Sequence, residues 1–166
     1  MIKSQITILQ QAQHYLMGVS EQQYCEIISP LFMSSAGAHI RHILDHYHAM
    51  IVGMKSGVID YDQRTRGGSV ESEPHAALQA IDKIIMFLNG LSEQALQQTV
   101  KLSTEVSVTN KQVMIAETTL AREVIFVGSH AVHHLATIKH IALTQKIDVA
   151  EELGIAPATA TFLRAG

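Results

Sequence analysis

Two apolar stretches of this chain carry histidines at helical spacing. GAHIRHILDHYHAM holds His39, His42 and His46 at intervals of three and four, and SHAVHHLATIKH holds His130 and His134 four apart. On an α-helix such intervals stack side chains on one face. Two helices that bury these faces against each other bring all five imidazoles to one interior space. Burying several imidazoles without partners costs several kcal/mol in unmet hydrogen bonds. A metal ion lowers that cost by taking one lone pair from each ring, and neutral imidazole is the commonest protein ligand for a transition metal. The pattern therefore points to paired helices around a buried metal site. A purely structural polar network is the competing explanation.

A helical wheel sorts the remaining histidines. At roughly 100° per residue, His39, His42 and His46 fall within about 60° of one another. Ala49, Met50 and Gly53 continue that stripe, and small residues there would leave room for a ligand pocket. His48 lies on the polar side with Arg41 and Lys55. On the later stretch Val124, Val127, Ala131, Leu135 and Ile138 mark the buried face, with His134 at its edge, His130 one step further round, and Glu123 and Ile141 on the same strip. His133 and His140 point away, and His14 and His75 read as surface residues.

The rest of the chain is consistent with a helical bundle. Its 166 residues suit one domain spanning 1–166, with enough length to bury a core. Hydrophobic content of 47% against 16% charged residues is globular composition. Aromatics are 5% with no Trp, so aliphatic residues and Met must fill the core. Met17, Met33, Met50, Met54, Met86 and Met114 read as core filler. The net charge of −3, without a basic stripe, argues against nucleic-acid binding. No apolar run reaches the roughly 20 residues of a membrane span. The first residues, MIKSQITILQQAQHYL, lack the apolar run of a signal peptide. The single cysteine, Cys25, cannot form an internal disulfide and reads as a buried, inert thiol. A cytoplasmic protein is the simplest expectation, and its modest surface charge would allow a homodimer through helix faces.

Periodicity and stop signals place four long helices. The first runs from about Lys3 to Met17 before Gly18, and Ser20 can cap a short turn through Ile27. The second starts at Ser34 or Ser35 and runs to about Lys55, with Gly57 beyond it. VIDYDQRTRGGSVES reads as a long exposed crossover connection. The third helix spans Pro74 to Asn89, with Gly90 past its end. VKLSTEVSVT and QVMIAETT alternate around TNK, which predicts a two-stranded hairpin lying against the helices. The fourth helix begins at the Thr119 cap and runs to about Gln145. Asp148 could cap a short helix in VAEELG, and IAPATATFLR is expected to be a docked tail. The fold class is all-α: a four-helix bundle with a long crossover connection and a small β-hairpin before the last long helix.

A catalytic metal typically takes three protein ligands and leaves one position open. His130 and His134 supply two from adjacent turns. The earlier stripe supplies the third, with His42 central in it, His46 next and His39 after that. The histidines left over are candidates for cofactor binding, proton relay or orienting a bound water. The spacing is not HExxH, since Ala131 follows His130, and it lacks the Glu-x-x-His pairs of di-iron bundles. Imidazole-only ligands suit a divalent transition metal such as zinc, nickel or iron. Asp45 lies at the edge of the stripe, as an imidazole acceptor or a surface carboxylate.

The stripe in SSAGAHIRHILDH, the SHAVHH element and the tail ELGIAPATATFLR together resemble the DinB/YfiT-like superfamily of metal-dependent bundles, over most of the chain. The resemblance implies a four-helix bundle holding a divalent metal through three histidines. The helix-two ligand, followed by an apolar pair and an acid, maps onto His42 before Ile43, Leu44 and Asp45. The helix-four pair maps onto His130 and His134. His39 and His46 are additional to that pattern and are left as cofactor-binding candidates. Members of that superfamily include S-transferases and isomerases that use bacillithiol, mycothiol or glutathione. The implied function is a thiol-dependent S-transferase, or a hydrolase, acting on a small-molecule substrate with a metal-activated thiolate or water. The alternative is a non-catalytic, stress-related bundle that binds a metal or ligand.

Overall fold

Side-chain caps mark where two of the four long helices start. The computed structural model describes residues 1–63 and 67–165. Its long helices are α1 (Ile2–Gly18), α3 (Ala36–Ser56), α5 (Pro74–Asn89) and α7 (Leu120–Thr144), with short helices α2 (Glu21–Cys25), α4 (Ser69–Ser72), α6 (Glu93–Leu96) and α8 (Pro157–Ala165) between or after them. Ser35 Oγ accepts from the Ala38 N–H at 3.2 Å to open α3, and Thr119 Oγ1 accepts from the Arg122 N–H at 3.3 Å to open α7. Each such cap is worth about 1 kcal/mol. Ser20 and Gln23 form a reciprocal capping box on α2. Gly57 ends α3 at φ 81°, a left-handed conformation that favours glycine.

The four long helices close a ring. α3 packs on α7 and α5, and α1 packs on α5 and α7. Ile8, Leu9, Ala12 and Leu16 of α1 meet Ile40, Ile43, Tyr47 and Met50 of α3, Ile81 and Leu88 of α5, and Val124, Leu135 and Ile138 of α7 in one continuous core. The four-helix bundle expected from periodicity is thus the fold, with the 3.6-residue pattern of each long helix setting the face it buries.

The crossover departs from expectation. Val58–Asp60 forms a strand, β1, that pairs in parallel with β2 (Thr99–Glu105), and β2 pairs antiparallel with β3 (Val113–Thr119). The hairpin is therefore the outer part of a three-stranded sheet ordered β1-β2-β3. The connection is not simply exposed: Ile59 is 0% and Tyr61 6% accessible. Three residues are too few to show a strand period, and the partner strand lies far along the chain, so local pattern could not reveal β1. The part of the expected crossover at 64–66 lies outside the described residues.

Gly53 makes β1 possible. A Cβ at Gly53 would collide with Ile59, including its backbone. At Gly53 the space beside the histidine stripe is filled by this strand rather than left open for a ligand. Gly53→Ala is expected to destabilise the fold by about 1–3 kcal/mol through overpacking, read as a lower urea midpoint with an unchanged slope.

Other expectations need correction. Met17, Met33, Met86 and Met114 are exposed, whereas Met50 is in the core and Met54 is partly buried against it. The face a residue occupies, rather than its type, decides burial. Cys25 is exposed, with Sγ donating to the Ser72 carbonyl at 3.3 Å. Turns replace the helix expected in VAEELG, and the tail forms α8, which buries no residue and leaves Phe162 76% accessible.

Candidate metal centre

The α3–α7 interface brings the five inward histidines together. Ring centroids of His42 and His130 are 5.0 Å apart, those of His42 and His134 4.6 Å, and those of His130 and His134 4.6 Å. His130 Nε2 lies 3.0 Å from His42 Nε2 and 3.1 Å from His134 Nε2. Two nitrogens each about 2.0–2.1 Å from one ion, at an angle a little above 90°, are separated by about 3 Å. Each of these two pairs thus has the spacing of two donors to a shared metal.

A second grouping overlaps the first. His42, His46 and His130 each offer a ligand atom within 4.8 Å of the others. His46 Nδ1 is 3.0 Å from the His42 carbonyl oxygen. A carbonyl only accepts, so Nδ1 carries the proton and Nε2 is the acceptor nitrogen of His46. Its ring stacks on His130 at 4.1 Å and 24°. Edge-on contacts join both groupings: His42 meets His46 at 80° and His134 at 86°, and His130 meets His134 at 71°.

Burial favours the neutral form of His134 and His39. The pKa of His134 falls to about 3, first through desolvation and then through the neighbouring charges of His130, His39, His133 and His46. His39 is also lowered, by desolvation and then by His133. A neutral imidazole retains the lone pair a metal needs. His39 Nδ1 sits 2.9 Å from His134 Nδ1, and His39 Nε2 sits 3.1 Å from Ser34 Oγ. His14, His48, His75, His133 and His140 are exposed. Asp45 accepts from Arg41 at 2.8 Å, and Arg41 also pairs with Glu71 at 2.9 Å.

Beside the histidines lies a buried carboxylate. Glu123 is 0% accessible and accepts from Tyr61 Oη at 2.7 Å, Thr118 Oγ1 at 2.7 Å and Arg122 at 2.8 Å. Three donors, one of them charged, satisfy a group that would be costly to bury alone. The Tyr61 ring stacks on His46 at 5.1 Å and 15°. Burial, then the bond to Glu123, pushes the Tyr61 hydroxyl pKa up. Arg122 also covers the Phe126 ring at 4.9 Å. Sequence periodicity placed Glu123 on the histidine strip. Tyr61 sits in the crossover and gave no periodic signal.

These features define a class: a four-helix bundle whose two facing central helices carry a histidine cluster able to hold a metal ion. The family model of the DinB superfamily matches residues 7–138. The chain belongs to that superfamily. The solved structure of a DinB-like protein, YjoA from Bacillus subtilis, superposes with a TM-score of 0.65 at 15% identity, covering 92% of this chain and 96% of that one. That likeness is one of fold. A curated relative, FK506-binding protein 5 of Rhizopus delemar, is 28% identical over 107 residues, which is 64% of this chain but 28% of that protein. The chain therefore spans well under half of that relative's length. Among the described residues no helix is long and apolar enough to cross a membrane.

Proposed function

We propose that this protein is a metal-dependent enzyme, a thiol S-transferase or a hydrolase, with His42, His130 and His134 as the metal ligands. The observation that supports this reading is the close approach of His130 Nε2 to His42 Nε2 at 3.0 Å and to His134 Nε2 at 3.1 Å. His134 is read as the third ligand, rather than His46, on the 3.1 Å approach of its Nε2 to His130 Nε2. A divalent ion held there supplies a Lewis acid that lowers the pKa of a thiol or water to near neutrality. His46 holds a proton on Nδ1 against the His42 carbonyl and offers Nε2 as a proton acceptor beside the ligands. Tyr61 fixes the His46 ring by stacking and is itself fixed by Glu123. A small-molecule substrate and a low-molecular-weight thiol are the proposed reactants, because the site is built from a few side chains between two helices rather than on an extended surface.

The test is turnover of thiol and electrophile pairs, and of ester or amide substrates, by protein reconstituted with zinc, nickel or iron. Metal-dependent turnover that disappears in His134→Ala supports the enzyme. Tight metal binding with no turnover in any pairing would instead mark a non-catalytic binding protein.

A further inference from the structure

His39 faces the cluster from the first turn of α3 and meets it at His134. Its Nδ1 is 2.9 Å from His134 Nδ1, and its Nε2 is 3.1 Å from Ser34 Oγ. A neutral imidazole carries one proton on one of its two nitrogens. Where His134 Nε2 gives its lone pair to a metal, the His134 proton must sit on Nδ1. That N–H then donates to His39 Nδ1. The His39 proton is thereby placed on Nε2, where it donates to Ser34 Oγ. Every ring nitrogen between Ser34 and the centre has one defined role, and none is left unmet.

We infer that His39 is a positioning residue, which fixes the tautomer and ring orientation of His134 by accepting its Nδ1 proton. The inference rests on the reading of His134 as a ligand. Ligating histidines usually make this outer contact to a carboxylate, a backbone carbonyl or water. Here a second imidazole, anchored by the serine just before the α3 cap, takes that place. His39 thus leaves the group of cofactor contacts. A neutral acceptor adds no charge behind the ligand, so the metal keeps more of its electrophilic character than it would with a carboxylate there.

The experiment titrates Co²⁺ into the metal-free full chain against a chromophoric chelator and records the cobalt d–d spectrum. His39→Leu keeps much of the volume and removes the acceptor, and His39→Gln keeps an acceptor oxygen. Circular dichroism of both metal-free variants checks folding. His39→Leu should weaken Co²⁺ binding by about 10–100-fold with unchanged stoichiometry and an altered spectrum. His39→Gln should recover part of that loss, and Ser34→Ala should show a smaller loss in the same direction. His134→Ala should lose more than any of them. Wild-type affinity and spectrum in His39→Leu, with binding lost in His134→Ala, would overturn the role of His39 and leave the ligand set standing. Wild-type binding in His134→Ala would overturn the ligand set itself. A fall in stoichiometry in His39→Leu would make His39 a ligand and overturn its positioning role.

Discussion

Alanine at His42, His130 or His134 is expected to abolish stable metal binding, while His48→Ala and His140→Ala keep full occupancy. Losing a ligand should cost more than the about 10–100-fold that follows loss of an outer partner. Elemental analysis of untagged, dialysed protein reads this directly. Full occupancy in His134→Ala, together with loss in His46→Ala, would move the third ligand to His46. Chelation should act in the same direction on stability. An ion that binds only the folded chain stabilises it by about 4 kcal/mol at a thousandfold excess over Kd, so the chelated protein should melt at a lower temperature. Acid reinforces the effect. His134 has a folded pKa of about 3 against an ordinary value of 6.5. The unfolded chain therefore binds the extra proton first, and the stability associated with neutral His134 is present above pH 6.5 and lost as pH falls toward 3. Protons also compete with the metal for the lone pairs over this interval. Denaturant melts of the metal-free protein between pH 7 and 4 should show stability falling as pH falls. A flat profile would contradict the burial of His134.

Glu123→Ala should be the most destabilising single change away from the ligands. It strands the Tyr61 hydroxyl, leaves Thr118 without its acceptor and unpairs Arg122. Each buried donor stranded in this way costs about 1–3 kcal/mol, while Arg122, 55% exposed, rehydrates at little cost, so Glu123→Ala should cost more than Tyr61→Phe, which leaves Glu123 two of its donors. Because the two residues share one bond, the double variant should cost less than the sum. Urea unfolding of metal-free protein measures all three. A loss below about 1 kcal/mol for Glu123→Ala would mean that this network does not tie the sheet to α7. The same variants bear on the site, since Tyr61 is the stacking partner of His46. Tyr61→Leu should loosen His46 without removing a ligand.

Much of this was legible in the chain. The stops and caps at Ser35, Gly57, Pro74, Gly90 and Thr119 bounded α3, α5 and α7 to within a residue or two. These signals are local: a cap satisfies a backbone group three residues away, and an amphipathic face repeats every turn. For the same reason the wheel separated inward His39, His42, His46, His130 and His134 from exposed His48, His133 and His140. Local signals failed where a residue's environment came from elsewhere. Ile59 is buried because α3 leaves space at Gly53 and β2 offers it an edge. Methionines at Met17 and Met86 lie on solvent faces despite their side-chain chemistry.

The sequence alone determined four helices and the two faces that carry imidazoles, because helical periodicity is written within each segment. The tertiary structure decided how those imidazoles meet. It turned His42 and His130, 88 positions apart, edge-on at 3.0 Å. It stacked His46 on His130 and set His39 behind His134. It brought Tyr61 from the crossover onto Glu123, 62 positions away. Each of these depends on the relative rotation of elements distant in the chain, which packing fixes and periodicity does not encode.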